Sequence, residues 1–194
     1  YVLIRQQDAV GFVAYDTKAN VVMAPKAQPA QLRRILMEID KLQPGGETDA
    51  AAVMHEVAER VPRRSVVFVL SDLFGDPDAI VNALHHFRYR HDEVIVIQTV
   101  ADEEIEFPFA EMLRFEDPET AQFLNIDSMA LRNTYLERFN DFLAKIRRGC
   151  GEMRITHELV NTKTPYAEAL SDILVRYKEG GGRGSPDKVN ATIG

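Results

Sequence analysis

Two short polar segments carry the side chains of this chain best suited to chemistry. Gly45-Gly46-Glu47-Thr48-Asp49 opens the apolar-periodic stretch Ala50–Val61, and Ser71-Asp72 closes the strand-like run Ser65–Leu70. In an open parallel sheet, the loops at the carboxyl ends of the strands face one crevice, and ligands bind there. A Thr48 hydroxyl and an Asp72 carboxylate delivered to that crevice are hard oxygen donors of the kind that Mg2+ accepts. Thr48 and Asp72 are therefore the candidate metal ligands, with Asp49 and Ser71 as candidates to support them. Each also has a plainer role. Thr48 suits the N-cap of the helix that follows. Asp49 suits the first helical turn, where the dipole favours an acid. Asp72 suits a turn before Leu73-Phe74-Gly75.

No other grouping points to catalysis, and no catalytic residue is assigned. His85 and His86 are adjacent and so point to different helix faces, whereas helical zinc pairs sit four apart. His55-Glu56 lacks the second histidine of a zincin, His91 sits by a turn, and His157 lies in a predicted strand. Cys150 has only His157 near it in sequence. There is no Gly-x-Ser-x-Gly elbow, Walker loop or Gly-x-Gly-x-x-Gly. The acidic run Asp102-Glu103-Glu104 with Glu106 reads as a solvated loop. The alternative function is a Mg2+-dependent phosphotransferase or hydrolase built on Asp72. It would need further carboxylates and a basic residue, and Ser65–Ser71 carries neither.

The elements that must position these residues alternate along the chain. Asp8–Tyr15 and Val21–Ala24 read as a β-hairpin around the turn Asp16–Asn20. Leu32, Ile35, Leu36, Ile39 and Leu42 repeat at helical spacing, and Pro44-Gly45-Gly46 stops that helix. The next helix buries Val53, Met54, Val57 and Val61. Val66–Leu70 is a continuous β-branched and aromatic run, as in a strand covered on both faces. Asp76-Pro77 is an N-cap followed by proline at the first helical position. Glu93–Val100 is a second buried strand.

Strand and helix in this order predict an α/β fold, with a doubly wound, mostly parallel sheet and helices on both faces. Glu111–Glu116 and Gln122–Ile126 form a small hairpin around Asp117–Thr120. Asp127 caps a long helix that Gly149 terminates. Arg154–Val160 is a last strand, and Thr164-Pro165 opens a last helix. Residues 1–179 form one domain, and the Gly-rich 180–194 reads as a flexible tail or linker.

Composition sets the outer bounds. The 194 residues are 45% apolar and 27% charged, with a formal net charge of -7. That balance suits a globular domain and argues against nucleic acid as a partner, because phosphate contacts need a basic face. Arg33-Arg34, Arg63-Arg64 and Arg147-Arg148 read as solvated helix ends. The single cysteine and the lack of any apolar run of about 20 residues fit a cytoplasmic chain without a transmembrane segment. Tyr1–Arg5 looks like the end of a helix already under way, which predicts that native sequence precedes it.

Three segments in order, Gln7–Asp16, Leu42–Asp49 and Val67–Phe74, resemble the C-terminal half of the family called domain of unknown function 58 (DUF58), a branch of the von Willebrand factor A (vWA) fold. The resemblance continues through Phe107-Pro108-Phe109, the Asp127 helix and Thr164-Pro165-Tyr166. It implies a metal-ion-dependent adhesion site built from an Asp-x-Ser-x-Ser motif, a Thr and an Asp. Thr48 matches the second element and Asp72 the third. The first has no match, since Asp127-Ser128 falls in the wrong part of the order.

The resemblance also implies a strand between Val10–Tyr15 and Val66–Leu70 that this sequence does not contain. Each buried unsatisfied backbone group costs about 1–3 kcal/mol, against about 5–15 kcal/mol for a whole domain. A longer parent chain would then have to supply the strand, or the segment would be unstable alone. The implied function is a non-enzymatic interaction module. Its divalent cation, weakly held here, would take a carboxylate from a protein partner, with a MoxR-type AAA+ ATPase as the partner the family suggests.

Overall fold

The computed structural model describes residues 1–43, 48–109, 112–116 and 123–179. The loop residues 44–47, the turn expected at 117–120 and the tail expected at 180–194 lie outside the described residues. After a short helix α1 (Val2–Arg5), strands β1 (Val10–Tyr15) and β2 (Ala19–Lys26) pair as an antiparallel hairpin. Helix α2 (Pro29–Asp40) is pinned to that hairpin by Gln31, whose buried amide donates to the Val10 and Ala24 carbonyls. Only Ile35 of the periodic apolar set on α2 is buried, while Leu36 and Ile39 remain exposed. The repeat read from the sequence thus defines the helix but not its degree of cover.

Helix α3 (Ala50–Arg60), strand β3 (Val66–Ser71), helix α4 (Pro77–Tyr89) and strand β4 (Glu93–Val100) follow. A short helix α5 (Asp102–Glu106) leads to the antiparallel pair β5 (Met112–Glu116) and β6 (Phe123–Asp127). Helix α6 (Ser128–Glu152), strand β7 (Thr156–Asn161) and helix α7 (Tyr166–Glu179) complete the described chain. The strands β3-β4-β7 form a parallel sheet in that order.

Helices cover both faces of this sheet, as a doubly wound arrangement requires. On one face Val69, Val94 and Val96 pack with Met54 and Ala58 of α3, Leu84 and Phe87 of α4, and Ile146 and Cys150 of α6. On the other face Ile95 and Ile97 pack with Ile173 of α7. Full burial of alternate residues on both sides explains why β4 reads as an unbroken apolar run. In β3 the second face is open: Val66, Phe68 and Leu70 are exposed, Leu70 at 66%.

Among the described strands, β1 pairs only with β2, and β3 only with β4. They are not hydrogen-bonded to each other, as the expected strand order implies for the two neighbours of a central position. Each therefore presents an unpaired edge, which in sheets is a template for further pairing.

Two local expectations are corrected. Helix α6 runs through Gly149 to Glu152 instead of ending at Gly149. A Cβ on Gly149 would lie 2.5 Å from Val81 Cγ2, so this glycine allows α6 to approach α4 and caps nothing. The acidic run after β4 is helix α5, not a loop. The Glu104 carboxylate accepts from the Ala101 amide at its start, and Asp102 is held by Lys163 and Asn161.

Candidate functional site

β1 ends at Tyr15 and β3 at Ser71, and residues from both strands line one cleft of about 340 Å³. Tyr15, Thr48, Ser71 and Asp72 supply its polar side chains. The structure thus brings both predicted ligands, Thr48 and Asp72, to one rim.

Thr48 sits one residue before the cap of α3. The cap is Asp49, whose Oδ1 accepts from the Ala52 amide at 2.9 Å. This corrects two readings: Thr48 does not fill the capping role, and Asp49 precedes the first turn instead of lying within it. Asp49 also donates its backbone N–H to the Asp16 carbonyl at 3.2 Å, tying the start of α3 to the end of β1. The Thr48 side chain is thereby left free of capping, and Thr48 lines the cleft.

Asp72 lies in a tight turn. Ser71 Oγ accepts from the Leu73 amide and Asp72 Oδ1 from the Phe74 amide, each at 3.0 Å. Asp72 therefore fills its plainer turn role with one carboxylate oxygen. Leu73 is fully buried and has φ 58, a left-handed conformation disfavoured for a branched side chain. Burial of its side chain among the core residues offsets that strain and turns Asp72 outward. From inside the sheet, Gln98 Nε2 donates to the Asp72 carbonyl at 3.0 Å. Gln98 in turn meets His157 Nε2 at 2.9 Å. An amide oxygen only accepts, so His157 carries its proton on Nε2.

Tyr15 closes the inner end of the cleft. Its buried hydroxyl faces Ser71 and Asp72 without a well-formed hydrogen bond. Burial raises its pKa, Ser71 opposes that rise, and the Asp72 carboxylate adds to it. An orphaned buried hydroxyl beside two hydroxyls and a carboxylate is a donor set that fits a hard divalent cation in kind. It falls short in number, because Mg2+ takes about six oxygens in octahedral geometry. No group of three or more His, Cys, Asp or Glu side chains forms a metal cluster among the described residues. Water and a partner would have to complete the shell.

Sequence reasoning missed two groupings. His55 on α3 and His86 on α4 meet with their Nδ1 atoms 3.4 Å apart. Arg63, Arg88, Arg90 and His91 line a second pocket, Arg63 as an exposed residue. Both arise between segments far apart in the chain, and no local period signals them. Burial pushes the Cys150 thiol up to about 12, which keeps it protonated and unreactive.

A family model described as "Protein of unknown function DUF58" matches residues 1–142. No curated protein matches the chain. Among solved structures, the chain is similar to a conserved hypothetical protein BatB from Bacteroides thetaiotaomicron, with a TM-score of 0.56 at 11% identity over 92% of this chain and 84% of that one. It is also similar to an aerotolerance-related membrane protein from Bacteroides fragilis NCTC 9343 carrying multiple mutations to serines, with a TM-score of 0.51 at 13% identity over 90% and 85% of the two chains. These likenesses support the vWA-like fold. Among the described residues, no helix is long and apolar enough to cross a membrane.

Proposed function

This chain belongs to the DUF58 family, and from that premise we propose that it is a vWA-type protein-interaction module whose ligand is reached through a divalent cation at the β1–β3 cleft. The observation that carries the proposal is the shared placement of Thr48 and Asp72 on one cleft, from segments on either side of α3. Thr48 and Asp72 would contact the ion, with Ser71 and Tyr15 behind them. The ion's remaining positions would take water and a carboxylate from the partner protein. Family resemblance suggests a MoxR-type AAA+ ATPase as that partner.

The role is one of binding and not of catalysis. Among the described residues, the polar side chains lining the cleft are three hydroxyls and one carboxylate, with no lysine or arginine. A phosphoryl-transfer site stabilises developing negative charge with cations from the protein as well as the metal.

Calorimetric titration of the purified protein with MnCl2 or MgCl2 tests the proposal. Binding in the millimolar range is expected, weakened at least tenfold by Asp72→Ala and less by Thr48→Ala. Wild-type protein that binds no more metal than Asp72→Ala would end it.

A further inference from the structure

A second pocket, of about 390 Å³, lies at the other end of the parallel sheet, lined by Arg63, Arg88, Tyr89, Arg90 and His91. Arg63 precedes β3, and Arg88 and Tyr89 end helix α4 just before Arg90, His91 and the start of β4, whereas Asp72 follows the exit of β3. Six residues of strand separate the two ends, about 20 Å at about 3.3 Å per residue. The pocket is therefore independent of the metal site.

Two of its cations, Arg88 and Arg90, are held in place before any ligand arrives. Arg88 donates from Nε to the Met153 carbonyl at 3.0 Å and from Nη1 to the Asp92 carbonyl at 2.9 Å. Arg90 donates from Nη2 to the Val61 carbonyl at 2.8 Å. These bonds reach carbonyls of the loops around the pocket and fix the guanidinium planes. Arg88 Nη2 keeps its donors free of any acceptor among the described residues.

Arg90 Nε is buried without a hydrogen bond. The one carboxylate within ion-pair distance of this cluster, among the described residues, is Asp92. Its Oδ2 lies 3.9 Å from Arg90 Nε, while its Oδ1 accepts from the Ser65 amide. Three guanidiniums thus line the pocket, and of these only Arg90 has a carboxylate within ion-pair distance among the described residues, on a chain whose net charge is -7. Local positive charge persists against the overall balance.

Arg64, His91 and Arg154 each adopt positive φ, of 64, 66 and 56, at the entries to β3, β4 and β7. Tyr89 stands at the mouth of the pocket, 78% exposed, as a ring against which a flat group can stack.

We infer that this pocket binds a phosphate-bearing small molecule. Arginine presents a rigid fork of donors that matches phosphate geometry. The volume of this half-open pocket, about 390 Å³, lies within the range of small-molecule sites, about 300–1,000 Å³.

Calorimetry in metal-free buffer of low ionic strength tests this, with pyrophosphate and ATP titrated separately into the purified protein. Saturable binding of at least one anion is expected, weakened at least tenfold by Arg63→Glu. Arg63 is exposed and makes no described hydrogen bond, and Arg63→Gln serves as a milder second variant. Tyr89→Ala separates the two sources of phosphate. If it weakens ATP binding alone, the site recognises a nucleotide. If it weakens neither anion, the site recognises the phosphate itself. Asp72→Ala leaves both affinities unchanged, so failure of the metal proposal would not disturb this one. Absence of saturable binding by both anions, or binding indifferent to both Arg63 variants, overturns the inference.

Discussion

Gln98, fully buried in β4, holds the main chain of Asp72 by a hydrogen bond of 3.0 Å from its side-chain amide to the Asp72 carbonyl. A strand-end carboxylate is useful only if its backbone is fixed, and here the fixing group comes from the neighbouring strand. Replacing Gln98 by Leu would leave that carbonyl and His157 Nε2 without their partner. We expect a loss of about 1–3 kcal/mol of stability, read by urea denaturation. The affinity for Mn2+ should fall as well, although Gln98 does not line the cleft.

His157 makes stability depend on acid. Burial, assisted by the Arg147 charge, lowers its pKa to about 4 from the ordinary 6.5. The unfolded chain then binds more protons than the folded one between those values. The contribution of neutral His157 is fully present above pH 6.5 and is lost as pH falls towards 4. At about 1.4 kcal/mol per unit, the loss reaches at most about 3 kcal/mol. His157→Gln should flatten this limb of the stability–pH curve in denaturant melts, leaving the carboxylate limb at lower pH.

Thr48 and Asp49 divide two roles between adjacent positions. Asp49→Ala should cost about 1 kcal/mol, the usual worth of an N-cap. Thr48→Ala should change stability by less than about 0.5 kcal/mol, as exposed substitutions commonly do, while reducing metal affinity. Thermal melts and metal titration of the two variants check this separation. A Thr48→Ala variant as unstable as Asp49→Ala would return the capping role to Thr48.

Gly149 offers a packing test. A Cβ there would meet Val81 Cγ2 at 2.5 Å and Cγ1 at 2.7 Å. Helix propensity alone would favour alanine over glycine by about 1 kcal/mol, but overpacking of this kind costs about 1–3 kcal/mol. Gly149→Ala should therefore destabilise the fold. Adding Val81→Ala should recover most of the loss, and chemical denaturation of the single and double variants measures that coupling.

The sequence made some features legible because their signals are local. Asp76 followed by Pro77 caps α4 with hydrogen bonds to Asp78 and Ala79, and Asp127 caps α6 in the same way. The apolar run Glu93–Val100 matches β4 residue for residue. Other features depend on contacts that no local period encodes. Gly149 has the same type whether it ends a helix or admits a neighbouring one. Helix α5 is too short to show a repeat. Thr48 and Asp49 are both good caps one residue apart, and only the main-chain turn decides between them. The joining of Thr48 to Asp72 was read from the strand-end rule for open sheets and from family resemblance, and that of Arg63 to Arg88 and Arg90 from the fold alone.

Strand β3 connects two regions of opposite sign. Acids gather beyond the strand exits, at Asp72, Asp76, Asp102, Glu103 and Glu104, and guanidiniums gather before the entries, at Arg63, Arg64, Arg88, Arg90 and Arg154. Lys163 offsets part of the acidic end and Asp92 part of the basic one, so the polarity along the strands is partial, and the net charge of -7 does not show it. A diffusing cation and a diffusing anion are steered to opposite poles, at rates that fall as salt rises. If both proposed sites are filled, the two ligands would approach from opposite ends of the sheet.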